Sequence, residues 1–173
     1  MKLKSFIVLL FIIHYSLFIS GCGYKPATHY AKKEINGLAY TNITINIDST
    51  ANSVLVKDTM NEIILTQLDA ELTNDKSKAD TIVDLNLTGV SHSALTTDSE
   101  GYARTYRASV SINVRYTKKA AKTKSFSVND YYDYSVQSDA TVSEQIKDNA
   151  VKEAVKKALQ ELLSKLAVSS FKE

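Results

Sequence analysis

The chain contains one cysteine, and its neighbours give that thiol a chemistry. Ile19-Ser20-Gly21-Cys22 reads as a lipobox: an aliphatic residue, two small residues suited to a narrow peptidase site, then a thiol that can take a diacylglycerol. Lys2 and Lys4 precede an apolar run from Phe6 to Ile19 in which only His14, Tyr15 and Ser16 carry polar groups. A charged start followed by a short apolar run has the form of a signal peptide and is too short for a comfortable membrane span. The expectation is therefore cleavage after residue 21 and lipid attachment at Cys22, with an ordinary thiol behind an ordinary signal as the alternative. No second cysteine is present to form a disulfide, and a lone free thiol is unusual in an exported chain. One acyl chain anchors only marginally, at about 0.8 kcal/mol per buried CH₂, so the several chains of a mature lipoprotein imply lasting attachment. Gly23 follows the cysteine where an aspartate would resemble an inner-membrane retention signal, which points to the outer membrane.

Other chemistry is sparse. His29 and His92 have neither the spacing nor the neighbours of a metal site and read as surface residues. No nucleophile elbow or phosphate-cradling glycine loop occurs in a chain with 5 Gly, so no enzyme class, metal or cofactor is expected. Cations are the remaining candidates. Lys118, Lys119, Lys122 and Lys124 crowd a short link, while Arg104, Arg107 and Arg115 lie on the segment before it. Arginine forks match phosphate geometry and clustered lysines supply attraction without geometry. The alternative is a solvated lysine turn that deters strand pairing at a sheet edge. Of 21 Lys+Arg, Lys2 and Lys4 leave with the signal, so the mature chain is balanced against 19 Asp+Glu. That neutrality argues against a nucleic-acid partner, which calls for a strongly basic domain.

The elements that position these residues follow from periodicity. Residues 22–38 hold the only proline, Pro26, and little pattern, and read as a lipidated N-terminus and tether; residues 39–173 form a single domain. Ile43, Ile45 and Ile47 alternate with Thr44, Asn46 and Asp48 as a first strand. After the turn 49–53, Val56, Met60, Ile63, Ile64 and Leu68 recur at helical spacing, predicting a helix over roughly 53–72 with Asn52 or Ser53 as N-cap. Val83, Leu85 and Leu87 alternate as a second strand. Turn residues 97–101 then introduce the clearest alternation, in which Tyr106, Ala108, Val110, Ile112, Val114 and Tyr116 share one face. Phe126, Val128, Tyr132, Tyr134 and Val136 share the parity of a fourth strand. Thr141-Val142-Ser143-Glu144 fits a capping box before a helix of about 30 residues, or about 45 Å, with the stripe Val151, Val155, Ala158, Leu159, Leu162, Leu163 and Leu166. Glu153/Lys157 and Glu161/Lys165 are spaced to pair on its outer side.

The order β-α-β-β-β-α predicts an α+β fold: a two-layer sandwich with a four-stranded mixed or antiparallel sheet and two helices on one face. The first strand-helix-strand unit should be a crossover and the later strands hairpins. The uncovered face then carries Thr44, Asn46, Asp84, Asn86, Thr88, Thr105, Arg107, Ser109, Ser111, Asn113, Ser127, Asn129 and Tyr131. Short hydroxyl and amide side chains lose little rotamer entropy on docking and suit another polar wall, although such residues are also ordinary on exposed strands. Among ten tyrosines, Tyr131 faces outward and is the candidate interface anchor, with Ser109, Ser111 and Asn113 beside it.

The Cys22-Gly23-Tyr24 start, the strand-helix-three-strand-helix order, the Tyr106 to Tyr116 strand and the long Val151 to Leu166 helix resemble the lipopolysaccharide-assembly lipoprotein family, LptE. That resemblance implies an outer-membrane lipoprotein that plugs the lumen of the large LptD β-barrel, assists its assembly and binds lipopolysaccharide. Lys118, Lys119, Lys122, Lys124, Arg104 and Arg107 are then the candidates for the anionic phosphates. The main alternative is a lipoprotein docking module that regulates a cell-wall synthase or serves a secretion pore; a hydrolase is a third.

Overall fold

The computed structural model describes residues 25–45, 50–136 and 143–171. The lipobox, Cys22, Asn46, Ile47 and Asp48, the start of the turn 49–53, and Thr141 and Val142 lie outside the described residues. In chain order the elements are α1 (Ala27–Ala31), β1 (Leu38–Thr44), α2 (Thr50–Thr66), β2 (Glu71–Leu72), a 3₁₀ turn (Lys76–Lys78), β3 (Thr81–Thr97), β4 (Ala103–Lys118), β5 (Lys124–Ser135) and α3 (Glu144–Ser169). The sheet runs β2-β1-β3-β4-β5, with β1 parallel to both β2 and β3 and the β3-β4 and β4-β5 pairs antiparallel. The α+β class and mixed sheet agree with the sequence. The counts do not: there are five strands and three helices in place of four and two. Both extra elements are too short to carry a period, since β2 is two residues and α1 little more than one turn.

Residues from Ala27 onward pack on the domain. Ala31 and Ile35 are fully buried, so α1 and the segment after it join the core within the stretch 22–38 assigned to a tether. The strand β1 ends at Thr44, where its pairing with β3 ends at Asn86, so Ile45, expected inward, is exposed. Helix α2 is already formed at Thr50, which places Asn52 and Ser53 inside it and the buried Ser53 on its packed side. It ends at Thr66 instead of 72 because Asp69 takes a left-handed φ of 57°, a conformation that ends helices and turns the chain back toward β2.

Val83, Leu85 and Leu87 on β3 meet Tyr116, Val114 and Ile112 on β4 as buried cross-strand pairs. Leu87 pairs with Ile112 but Gly89 pairs with Ser111, leaving Thr88 as an extra residue in a β-bulge, its hydroxyl donating to the Ser111 carbonyl at 3.1 Å. The bulge flips the parity of β3 from Gly89 to Ala94, after which a second irregularity shifts the register again. That is why the alternation ends at Thr88 in sequence while the strand continues to Thr97. Helix α3 has 26 residues, about 39 Å at 1.5 Å per residue, and its predicted stripe is buried throughout. Its N-cap is Ser143, whose hydroxyl accepts the Ile146 N–H at 3.4 Å. Glu161 and Lys165 pair at 3.0 Å as their spacing predicts. Glu153 pairs with Lys156 instead, because Lys157 turns to the Tyr131 carbonyl.

Candidate functional site

Two surfaces collect the candidate residues. The first is the sheet face that no helix covers, where register sets short polar side chains in rows: Asn86, Asn113 and Ser127 in one, Gly89, Ser111 and Asn129 in the next, Ser91, Ser109 and Tyr131 in a third. Strand alternation forces this arrangement, since the opposite parity of the same strands fills the core. Asn86, Asn113, Ser127 and Asn129 are exposed; Ser109 and Ser111 are half-buried. Along these strands the outward positions hold neither lysine nor glutamate. A polar concavity of about 370 Å³ lies at one side of the face, bounded by Thr44, Asp84, Asn86, Asn113, Arg115 and Ser127.

Tyr131 faces outward as expected, 44% exposed, while Tyr134 on the opposite parity is buried. Arg107 lies over its ring, 3.6 Å from the centroid, and forks onto the Asp133 carboxylate at 2.7 and 2.8 Å. The two donors of that fork hold the Asp133 carboxyl below its ordinary range and raise the guanidinium in turn. Tyr131 is therefore pre-oriented on a fixed cation.

The cations do not form one site. Arg104 pairs with Asp98 through Nε at 2.6 Å, and Asp98 also accepts the N–H groups of Glu100 and Tyr102, so this arginine builds the β3-β4 turn. Lys118, Lys119, Lys122 and Lys124 lie at the other end of β4. Lys124 reaches Glu34 at 3.2 Å, and Lys118 donates to the Lys33 carbonyl at 2.8 Å. Lys119 and Lys122 are exposed, with no ion pair among the described residues.

Glu34 was not visible as a site in the sequence. It is 1% exposed, and its Oε2 accepts the Tyr116 hydroxyl at 2.5 Å across 82 positions of chain. Burial, with the bond to Glu34, pushes the Tyr116 phenol up to about 12. The available signal was Tyr116 at an inward position, since a buried tyrosine hydroxyl needs a partner. His92, expected at a strand end, lies within β3 beyond the bulge, its Nδ1 3.1 Å from the Tyr134 hydroxyl. Burial first, and Lys147 second, lower its pKa. Among the described residues no group of three or more His, Cys, Asp or Glu is placed to hold a metal, and no helix is long and apolar enough to cross a membrane.

Among solved structures, the rare lipoprotein B of Shewanella oneidensis aligns over 77% of this chain and 97% of its own at 13% identity, TM-score 0.53. A protein described as a lipoprotein of Caulobacter crescentus aligns over 82% and 93% at 10% identity, TM-score 0.54. At these identities the likeness is one of fold. No curated protein sequence matches the chain. A family model described as LptE, lipopolysaccharide-assembly, matches residues 40–166, from β1 through the last buried leucine of α3. The chain belongs to the LptE lipopolysaccharide-assembly family.

Proposed function

We propose that this chain is an outer-membrane lipoprotein, anchored through Cys22, whose uncovered sheet face docks against the polar inner wall of a large β-barrel of the LptD kind. Membership of the family supports a role in lipopolysaccharide assembly. The observation that carries the finer reading is the composition of that face: rows of Ser, Thr and Asn with no Lys or Glu, charges confined to Asp84, Arg107, Arg115 and Asp133, and one pre-oriented tyrosine. Long charged side chains would lose more rotamer entropy on docking and would need charged partners once desolvated; short amides and hydroxyls lose less and need only hydrogen-bond partners. A barrel lumen is polar and hydrogen-bonding, which is the complement such a face requires.

Direct contact with lipopolysaccharide is a further part of this proposal. Arg104, Arg107 and Lys124 already hold carboxylates, so a lipopolysaccharide phosphate would have to displace Asp98, Asp133 or Glu34 to reach them. The test of the main reading is recovery of C-terminally tagged protein from detergent-solubilised envelopes, with co-purifying species identified by mass spectrometry. Stoichiometric recovery of a large outer-membrane barrel is expected. Recovery of a cell-wall synthase or secretion component in its place would move the chain to the regulatory reading.

A further inference from the structure

The strand register brings one set of element ends together. Leu38 of β1 pairs with Glu71 of β2, Ala39 with Thr81 at the start of β3, Thr81 with Lys118 at the end of β4, and Tyr116 with Lys124 at the start of β5. The end of α3 closes on the same place, since Phe171 packs on Tyr30 of α1 with ring centroids 4.5 Å apart and Ser169 Oγ lies 3.5 Å from the Tyr116 hydroxyl. Lys25, where the described chain begins, precedes α1 directly. It lies three positions after Cys22, so extended chain can span about 11 Å between them at most.

The charge at this end is one-sided although the mature chain is balanced. Its carboxylates are turned inward or matched: Glu34 to Tyr116 and Lys124, Asp80 to the Leu38 N–H at 3.0 Å, Asp69 to Lys32 at 2.9 Å, and Asp75 to Lys78 at 3.5 Å. Glu71 is the exception. Against it stand five exposed lysines with no carboxylate partner among the described residues: Lys25, Lys33, Lys76, Lys119 and Lys122. Beside them two large apolar side chains face outward, Phe171 at 64% and Val168 at 57% exposure. Exposed aromatic and aliphatic groups among lysines are the composition of a surface that rests in the headgroup layer of an anionic leaflet.

We infer that this end of the molecule is a docking face for anionic phospholipid headgroups, with Lys33, Lys119 and Lys122 meeting phosphates and Phe171 entering the interface. The inference rests on the reading of Cys22 as the lipidated residue, because a lipid there leaves this end no more than the short span to residue 25 from the leaflet. It commits to phospholipid over lipopolysaccharide for the same reason: the anchor brings these lysines to the leaflet that holds it. The lipid supplies attachment, and the lysines and Phe171 set which end faces the membrane.

The chain has no tryptophan, so Phe171→Trp supplies a single reporter at an exposed position. The protein would be produced from residue 22 onward with Cys22→Ser, which keeps every described residue and removes the lipid. On vesicles of phosphatidylethanolamine with phosphatidylglycerol, the reporter's emission is expected to shift to the blue, and the shift to disappear at high salt. Vesicles of phosphatidylethanolamine and phosphatidylcholine alone should give none. A Lys33→Gln, Lys119→Gln, Lys122→Gln variant should bind the anionic vesicles roughly fivefold more weakly per lysine removed, about what one cation near an anionic surface contributes. Absence of a shift on anionic vesicles, a shift on lipopolysaccharide aggregates only, or unchanged binding by the triple variant would each overturn the headgroup face. The anchor is read separately, by the intact mass of the native protein from envelopes. An unmodified Cys22 there would remove the anchoring reading, and with it the ground for placing this end at a leaflet.

Discussion

The uncovered face and the buried Glu34–Tyr116 cluster are built on the same strand, and they treat polar side chains in opposite ways. Along the middle of β4 and β5, Asn113, Ser127 and Asn129 make no side-chain hydrogen bond among the described residues and remain exposed. Three positions beyond Asn113, Tyr116 is buried and bound to a buried carboxylate, and Lys124 opposite closes the same group. One region holds its hydrogen-bonding capacity for something outside the chain; the other uses it to join an N-terminal segment with no periodicity to the sheet. The difference teaches that polarity on a strand is not itself a functional signal. What separates docking from internal cross-linking is whether the donors and acceptors are already matched.

The largest effect should come from breaking the internal match. Glu34→Ala removes the carboxylate that accepts from the Tyr116 hydroxyl and that Lys124 reaches. Losing one partner of a buried pair costs about 3–5 kcal/mol, and because Lys124 is partly exposed a value of about 2 kcal/mol is expected here. The melting temperature should fall by roughly 5 °C, measured by circular dichroism; a change of less than about 1 °C would mean that α1 is held by its apolar contacts alone. The docking face should behave in the reverse way. Asn113→Lys with Ser127→Lys adds exposed charge where nothing is buried, so stability should change by no more than about 0.5 kcal/mol. Recovery of a barrel partner should nevertheless drop at least about tenfold, equivalent to about 1.4 kcal/mol. Full recovery with both lysines in place would exclude this face from the interface.

A smaller effect reads the buried pair spectroscopically. The Tyr116 phenol is pushed up to about 12, so its protonated form is favoured by folding. The resulting stability is present below the ordinary tyrosine pKa and is lost as pH rises through 12. In an ultraviolet titration of the folded protein Tyr116 should be among the last tyrosines to ionise, and Tyr116→Phe should remove that late step. An unchanged late step in the variant would assign it elsewhere.

The periodic parts of this fold were legible because hydrophobic spacing is local: the stripe of α3 and the inward set of β4 are read from a dozen or so residues of sequence each. What was not legible depends on a partner distant in the chain. α1 folds because Ala31 and Ile35 find the core, and nothing in their immediate neighbours announces it. The continuation of β3 was hidden by one residue, since the bulge at Thr88 exchanges inward and outward positions and makes a continuous strand look finished. The outward set on β4 was legible as residues but not as rows, because register needs both strands. The cations were misleading as a group. Six candidates close in sequence divide between a turn, a ring-stacked pair and the end of the sheet that Lys33 reaches, because a strand as long as β4 carries its two ends far apart.

Arg107 and Asp133 give the finest test of the contrast. The pair is partly exposed on the docking face, so it resembles the internal match in geometry and the docking face in location. Asp133 is held below its ordinary value of 3.8 chiefly by the hydrogen bonds from Arg107. A depressed carboxylate contributes stability that is present above its unfolded pKa and lost as pH falls through the folded one, so any contribution should start to decline below the ordinary value of 3.8 and be gone only below the depressed folded value. Exposed pairs of this kind contribute little in water. Asp133→Asn should therefore leave the melting temperature at neutral pH almost unchanged and slightly reduce its loss between neutral pH and pH 3. Its effect on partner recovery should be larger than its effect on stability, because Arg107 would lose the carboxylate that holds it over the Tyr131 ring. If stability falls and partner recovery does not, the fork serves the fold, and the pre-orientation of Tyr131 has no part in docking.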